Sequence, residues 1–168
     1  RKPQELLTIA NHILGTGQMS LAKYLFICDQ ENEPNVNNEE EFFLHFLERV
    51  DWKRDLHFQT RTTIDTLDYS GDDLNEGSKV VIAAAGKKKR NLINMLPEIR
   101  LPVGFKNPRL LSNGILIIEG RHEIKDLILS LEKQNIDGVG LITLVDDTNF
   151  VVENFSNWLW VTFTRSNP

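Results

Sequence analysis

Short apolar runs separated by stretches with helical spacing restrict this chain to an α/β fold. Tyr24-Leu25-Phe26-Ile27-Cys28, Ile115-Leu116-Ile117-Ile118 and Leu141-Ile142-Thr143-Leu144-Val145 are too brief for helices, and both their faces are apolar. Strands covered on both sides read this way. Lys79-Val80-Val81-Ile82-Ala83-Ala84 and Leu56-His57-Phe58-Gln59-Thr60 add further strands. Between them, PQELLTIANHIL sets Leu6, Leu7, Ile9, Ala10, Ile13 and Leu14 at three- and four-residue spacings, with Pro3 suited to a first turn and Gly15 to a stop. Asn38 followed by Glu39, Glu40 and Glu41 predicts a capped helix start, running to about Val50 with Phe42, Phe43, Phe46, Leu47 and Val50 inward. Ile124, Leu127, Ile128 and Leu131 mark a helix over about 122–134, and a last helix spans about 153–164. Alternation of this kind predicts a mixed, largely parallel sheet flanked by helices. One α/β domain over 1–168 is expected, with a first unit about 1–85, an irregular connector about 86–114 broken by Pro97, Pro102, Pro108 and Gly114, and a second unit about 115–168.

The two ends of the chain echo each other. Both have a strand ending at an acid (Asp29, Asp146). Val36-x-Asn38 answers Val152-x-Asn154, Phe42-Phe43 answers Trp158-Leu159, and Arg49-Val50-Asp51 answers Arg165-Ser166-Asn167. The pattern predicts a duplicated strand–loop–helix unit. Its second copy stops short, so an edge open to another chain is expected.

Composition narrows the function. A net charge of -5 argues against a nucleic-acid partner, and the basic run Lys87-Lys88-Lys89-Arg90 reads as a solvated loop. No apolar stretch approaches the ~20 residues of a transmembrane segment. The single cysteine, Cys28, rules out an internal disulfide and suits a reducing, cytoplasmic setting. Cys28 ends a buried strand with no activating motif, so it reads as core packing. A start at Arg1-Lys2-Pro3 without Met reads as a piece of a longer chain. Asp29, Asp146 and Asp147 stand at strand ends, where they either order the next turn or, as in receiver domains, hold Mg2+ and accept a phosphoryl group. His12, His45, His57 and His122 are scattered without metal-like spacing, and His12 and His45 read as helix-surface or boundary residues. No metal site is expected.

LAKYLFICDQEN followed by FFLHFLERVDWKRD, with the Arg49, Asp51, Arg54, Asp55 turn, Leu67-Asp68 and Gly77-Ser78-Lys79, resembles the C-terminal region of the UbiD family of decarboxylases. LVDDTNF…NFSNWLWVTFTRSNP is a second match, while Trp52 stands where the family commonly has proline and Ala83-Ala84-Ala85 where many members carry an Asp. The resemblance implies a parent enzyme that removes CO2 from aromatic or α,β-unsaturated acids with prenylated FMN and a divalent metal. It implies that this chain itself binds no cofactor and carries no catalytic residue, because those residues belong to a preceding catalytic domain. Its own part would be that of a lid and of homo-oligomerisation through the C-terminal helices. On that basis Leu67, then Ile64, are candidates for an apolar wall of the substrate pocket, in the loop running from Thr60 to Asp68. Trp158 and Trp160 point to different faces of the last helix and are the interface candidates. A non-enzymatic interaction module is the alternative reading.

Overall fold

A computed structural model describes residues 3–29, 34–35, 37–71, 73–121 and 123–168. Val36, used in the echo, and His122 lie outside the described residues. The chain divides into two compact units, residues 1–89 with 163–168, and residues 90–162.

The first unit contains α1 (Pro3–Leu14), a 3-10 turn (Gly17–Leu21), β1 (Tyr24–Cys28), α2 (Glu39–Leu47), β2 (Leu56–Thr63) and β3 (Glu76–Ala84). Strand order is β1-β3-β2, with β1 parallel to β3 from Tyr24↔Val80 to Cys28↔Ala84 and β2 antiparallel to it. Alternation along the strands sorts the core. Leu25, Ile27, Val81 and Ala83 meet the stripe of α1 carried by Leu6 and Ala10. On the other face Phe26 packs its ring against Phe43 and Phe46 of α2 and against Phe163. This explains why β1 is apolar at every position. Each fully buried side chain of this kind contributes ~1.5–3 kcal/mol. The expected cap is present: Asn38 accepts a hydrogen bond from the Glu41 amide at 3.0 Å.

The second unit contains β4 (Phe105–Ser112), β5 (Ile115–Gly120), α3 (Ile124–Leu131), β6 (Leu141–Val145), α4 (Thr148–Val152) and α5 (Phe155–Thr164) up to Thr162. Strand order is β4-β5-β6, with β5 parallel to β6 and antiparallel to β4. Leu127 and Leu131 of α3 cover Leu116 and Ile118, whereas Ile124 and Ile128 of the same predicted stripe are exposed.

Two expectations are corrected. In place of one largely parallel sheet, the described residues form two three-stranded sheets, each with one parallel and one antiparallel pair. A tight turn is enough for the antiparallel pairs, whereas each parallel pair needs a crossover. The stretch 86–114 is not irregular throughout, because it contains β4. Asn113-Gly114, with Gly114 at φ +73, turns β4 into β5, and Pro108 is tolerated because β4 is an edge strand. The expected last helix is present as α5, preceded by the short α4, and Asn154 caps α5 by accepting from the Asn157 amide at 2.8 Å.

The echo extends to strand placement and caps: β1 and β6 are both edge strands parallel to a central one, and Asn38 and Asn154 both cap helices. The likeness ends there. α4 intervenes in the second copy, and Arg49 is buried where Arg165 is exposed. Nor do the last residues project from the fold, since Ser166 and Asn167 bond to Tyr24, Ser70 and Ser78.

Candidate functional site

The connection from β2 to β3 is the most deliberately built loop of the first unit. β2 carries a register break between Gln59 and Thr62, with Arg61 at φ +56. An irregularity of this type bends the strand end and redirects the side chains that follow. Ile64 is then inserted, at 1% exposure, between Gly71 and Gly77. A Cβ on Gly77 would lie 2.7 Å from Ile64 Cδ1, and one on Gly71 would lie 2.0 Å from the Glu76 carbonyl oxygen. At Gly71 only glycine permits the approach, while at Gly77 a Cβ would have to displace the end of Ile64.

Beyond Ile64 the loop is shaped by aspartates. Asp65 Oδ1 accepts from the Leu67 amide at 2.8 Å, and Asp68 Oδ1 accepts from the Ser70 amide at 2.9 Å and its hydroxyl at 2.6 Å. Lys23, entering from the start of β1, closes the loop with an ion pair to Asp68 Oδ2 at 2.7 Å and a hydrogen bond to Ser70 Oγ at 2.7 Å. Burial pushes the Asp68 carboxyl up, but the bonds from Lys23 and Ser70 outweigh it and hold the group below the usual carboxylate range. The outcome is a fixed base with an apolar rim: Leu67 is 78% exposed, and Tyr69 and Leu74 are also exposed. An open cleft of about 430 Å³ lies alongside, lined by Arg61, Thr62, Thr63, Asn75 and Ser78 among others.

With this geometry in place, the comparisons decide the family. Residues 1–84, half of the chain, match the family described as 3-octaprenyl-4-hydroxybenzoate carboxy-lyase C-terminal domain. The chain belongs to this UbiD C-terminal domain family. Over 165 residues it is 33% identical to a protein of Chlamydia pneumoniae named as a subunit of 4-hydroxybenzoate decarboxylase, and the match takes in 98% of this chain and 28% of that protein. Uncharacterized proteins of Chlamydia trachomatis (33% identical) and Chlamydia muridarum (34% identical) match with the same coverage. The chain thus spans under a third of the length of these relatives.

The UbiD-like turn after α2 is structural. Asp55, buried at the mouth of β2, accepts from the Asp51 amide at 2.8 Å and takes both Nε and a terminal nitrogen of Arg54. Arg49 donates to the His45 carbonyl at 2.9 Å and to Glu48 Oε2 at 3.0 Å. The basic run is partly engaged here, with Lys88 on Glu48 and Lys89 on Asp51.

Of the two predicted wall residues, the structure exposes Leu67 and buries Ile64 as the anchor. Trp158 is fully buried, with its Nε1 donating to Thr143 Oγ1 at 3.0 Å, whereas Trp160 is 65% exposed. Among the strand-end acids, Asp29 accepts from the Gly86 amide at 2.7 Å, Asp147 caps α4 through the Asn149 amide at 2.9 Å, and Asp146 pairs with Arg121 at 2.6 Å. Of the three, Asp147 orders the turn that follows it, whereas Asp29 reaches across to the amide after β3. His12 is exposed as expected, but His45 is not a surface residue. It is buried beside Asp29 and Arg49, with Nε2 3.9 Å from Asp29 Oδ1. Burial and the Arg49 charge push its pKa down. Burial and the neighbouring Asp29 push the Cys28 thiol up to about 11, which leaves it a poor nucleophile.

Sequence reasoning missed the Lys23–Asp68 clamp, whose signal was the Asp-x-x-Asp spacing of Asp65 and Asp68. Among the described residues no three His, Cys, Asp or Glu side chains gather to hold a metal ion. The cleft beside the loop is polar, without the apolar slot that a flavin ring fills.

Proposed function

We propose that this chain is the oligomerisation and lid domain of a UbiD-like enzyme that decarboxylates aromatic or α,β-unsaturated carboxylic acids without oxidation. In that enzyme a preceding catalytic domain would supply the catalytic residues, the prenylated FMN and the divalent metal. The observation that carries the reading is the loop: an apolar residue, Leu67, stands exposed on a base locked by Ile64, Gly77 and the Lys23–Asp68 pair. An exposed leucine on a rigid mount suits closure over an apolar substrate and exclusion of water. Trp160, exposed on α5, is the interface residue of this reading. The name of the Chlamydia pneumoniae relative makes 4-hydroxybenzoate the first substrate to try.

The test is Leu67→Ala in the full-length enzyme, assayed for CO2 release from 4-hydroxybenzoate. A loss of about tenfold in kcat/KM, worth ~1.4 kcal/mol of transition-state stabilisation, is expected with unchanged thermal stability. Unchanged kcat/KM would remove the lid role. The isolated chain is expected to release no CO2 even with prenylated FMN supplied.

A further inference from the structure

We propose that residues 163–167 form a strap that fixes the shape of the loop carrying Leu67, with Ser166 and Asn167 as positioning residues. The segment is tied to three elements of the first unit. The Phe163 ring meets Tyr24 edge-on at 5.0 Å and Phe26 at 5.3 Å. Ser166 Oγ shares a hydrogen bond with the Tyr24 hydroxyl at 2.7 Å, and its carbonyl lies 3.2 Å from Ser70 Oγ. Asn167 Oδ1 accepts from the Ser78 amide at 3.0 Å, two residues before β3 takes up its pairing with β1 at Val80.

Ser70 is the junction. Its oxygen accepts from Lys23 Nζ, and its single hydroxyl hydrogen faces both Asp68 Oδ1 at 2.6 Å and the Ser166 carbonyl at 3.2 Å. The hydrogen is shared in a three-centre bond, its stronger arm to the nearer, charged carboxylate and its weaker arm to the Ser166 carbonyl, so the strap takes up part of the Ser70 donor. Asn167 meanwhile pins Ser78, next to the Gly77 against which Ile64 packs. The strap therefore acts on both anchors of the loop, the Asp68 clamp and the Ile64 seat. No bond to Leu67 itself is needed.

The functional consequence rests on the lid reading; the structural claim does not. The test is hydrogen exchange followed by mass spectrometry on the full chain, comparing the wild type with Ser166→Ala and Asn167→Ala combined. Amides of residues 64–71 are expected to exchange about tenfold faster, as the loss of two ordinary hydrogen bonds implies, while those of β5 stay unchanged and report an intact fold. Tyr24→Phe, which keeps the ring and removes the partner of Ser166, is expected to give a smaller increase in the same amides. Unchanged exchange in residues 64–71, with the tail itself released, overturns the strap. In the full-length enzyme the double variant is expected to raise KM for 4-hydroxybenzoate. If the loop loosens but neither this variant nor Leu67→Ala alters turnover, the strap stands and the lid reading falls. If Leu67→Ala slows turnover while the loop stays protected in the double variant, the strap falls and the lid reading stands.

Discussion

Replacing Lys23 by Met tests the mount of the loop at its most sensitive point. The lysine side chain is 7% exposed and its partner Asp68 17% exposed, with Nζ and Oδ2 2.7 Å apart. Methionine keeps most of the aliphatic length and removes the ammonium, so what is lost is the ion pair and the bond to Ser70 Oγ. Removing one member of a fully buried pair costs ~3–5 kcal/mol, because the other charge is stranded. Asp68 is not fully stranded. It retains the Ser70 amide and hydroxyl on Oδ1 and some access to water, which brings the expected loss down to about 2–3 kcal/mol. Native-state hydrogen exchange at the β3 amides reads this directly, as a fall in protection of roughly 30- to 150-fold at a factor of ten per ~1.4 kcal/mol. Acid supplies a second arm. Because the folded state holds the Asp68 carboxyl below its ordinary range, the unfolded chain takes up the proton first. The resulting stability is complete above the unfolded value of about 3.9 and is lost as pH falls through the folded one. In Lys23→Met the folded value rises, so this acid-limb contribution shrinks. A fall in protection of less than about threefold, or an unaltered acid limb, would refute the argument that this pair clamps the loop.

Gly77→Ala is expected to destabilise the first unit by ~1–3 kcal/mol, because its Cβ would press on Ile64 Cδ1 at 2.7 Å. Adding Ile64→Val removes that methyl and should recover part of the loss in the thermal melt; no recovery would place the clash elsewhere. His45 predicts a second pH response. Its folded pKa lies below the unfolded value of 6.5, so stability is full above that value and declines as pH drops through the window beneath it. Melts at pH 7.5 and 5.5 should show this decline in the wild type and a weaker one in His45→Gln.

What the sequence reveals about this fold is what its neighbours along the chain decide. The Asn38 cap needs only the Glu41 amide three residues on, and the two-faced burial of β1 follows from its unbroken apolar run. Long-range arrivals are harder to see. His45 sits on a helix rich in acids and looks solvated until Asp29 and Arg49 converge on it. Ile64 and Leu67 are apolar residues three apart in one polar loop, and nothing local distinguishes them. Gly71 and Gly77, several residues downstream, decide which of the two is swallowed. β4 was legible in principle through Asn113-Gly114, but Pro108 and the irregular pairing around it disguise the strand. Nothing local marks the polar pair Ser166-Asn167, because its partners lie 89 to 142 residues away.

The carboxylates bear on what this domain contributes to the proposed reaction. Asp29, Asp55, Asp65, Asp68 and Asp147 each accept from a backbone amide of a nearby turn or strand end. The acids of this chain therefore act as builders of loops, and the loop they build most fully, between β2 and β3, ends in exposed Leu67, Tyr69 and Leu74. Polar groups are spent on holding that loop still, while its rim is left apolar. On the lid reading, such a loop offers a surface that displaces water.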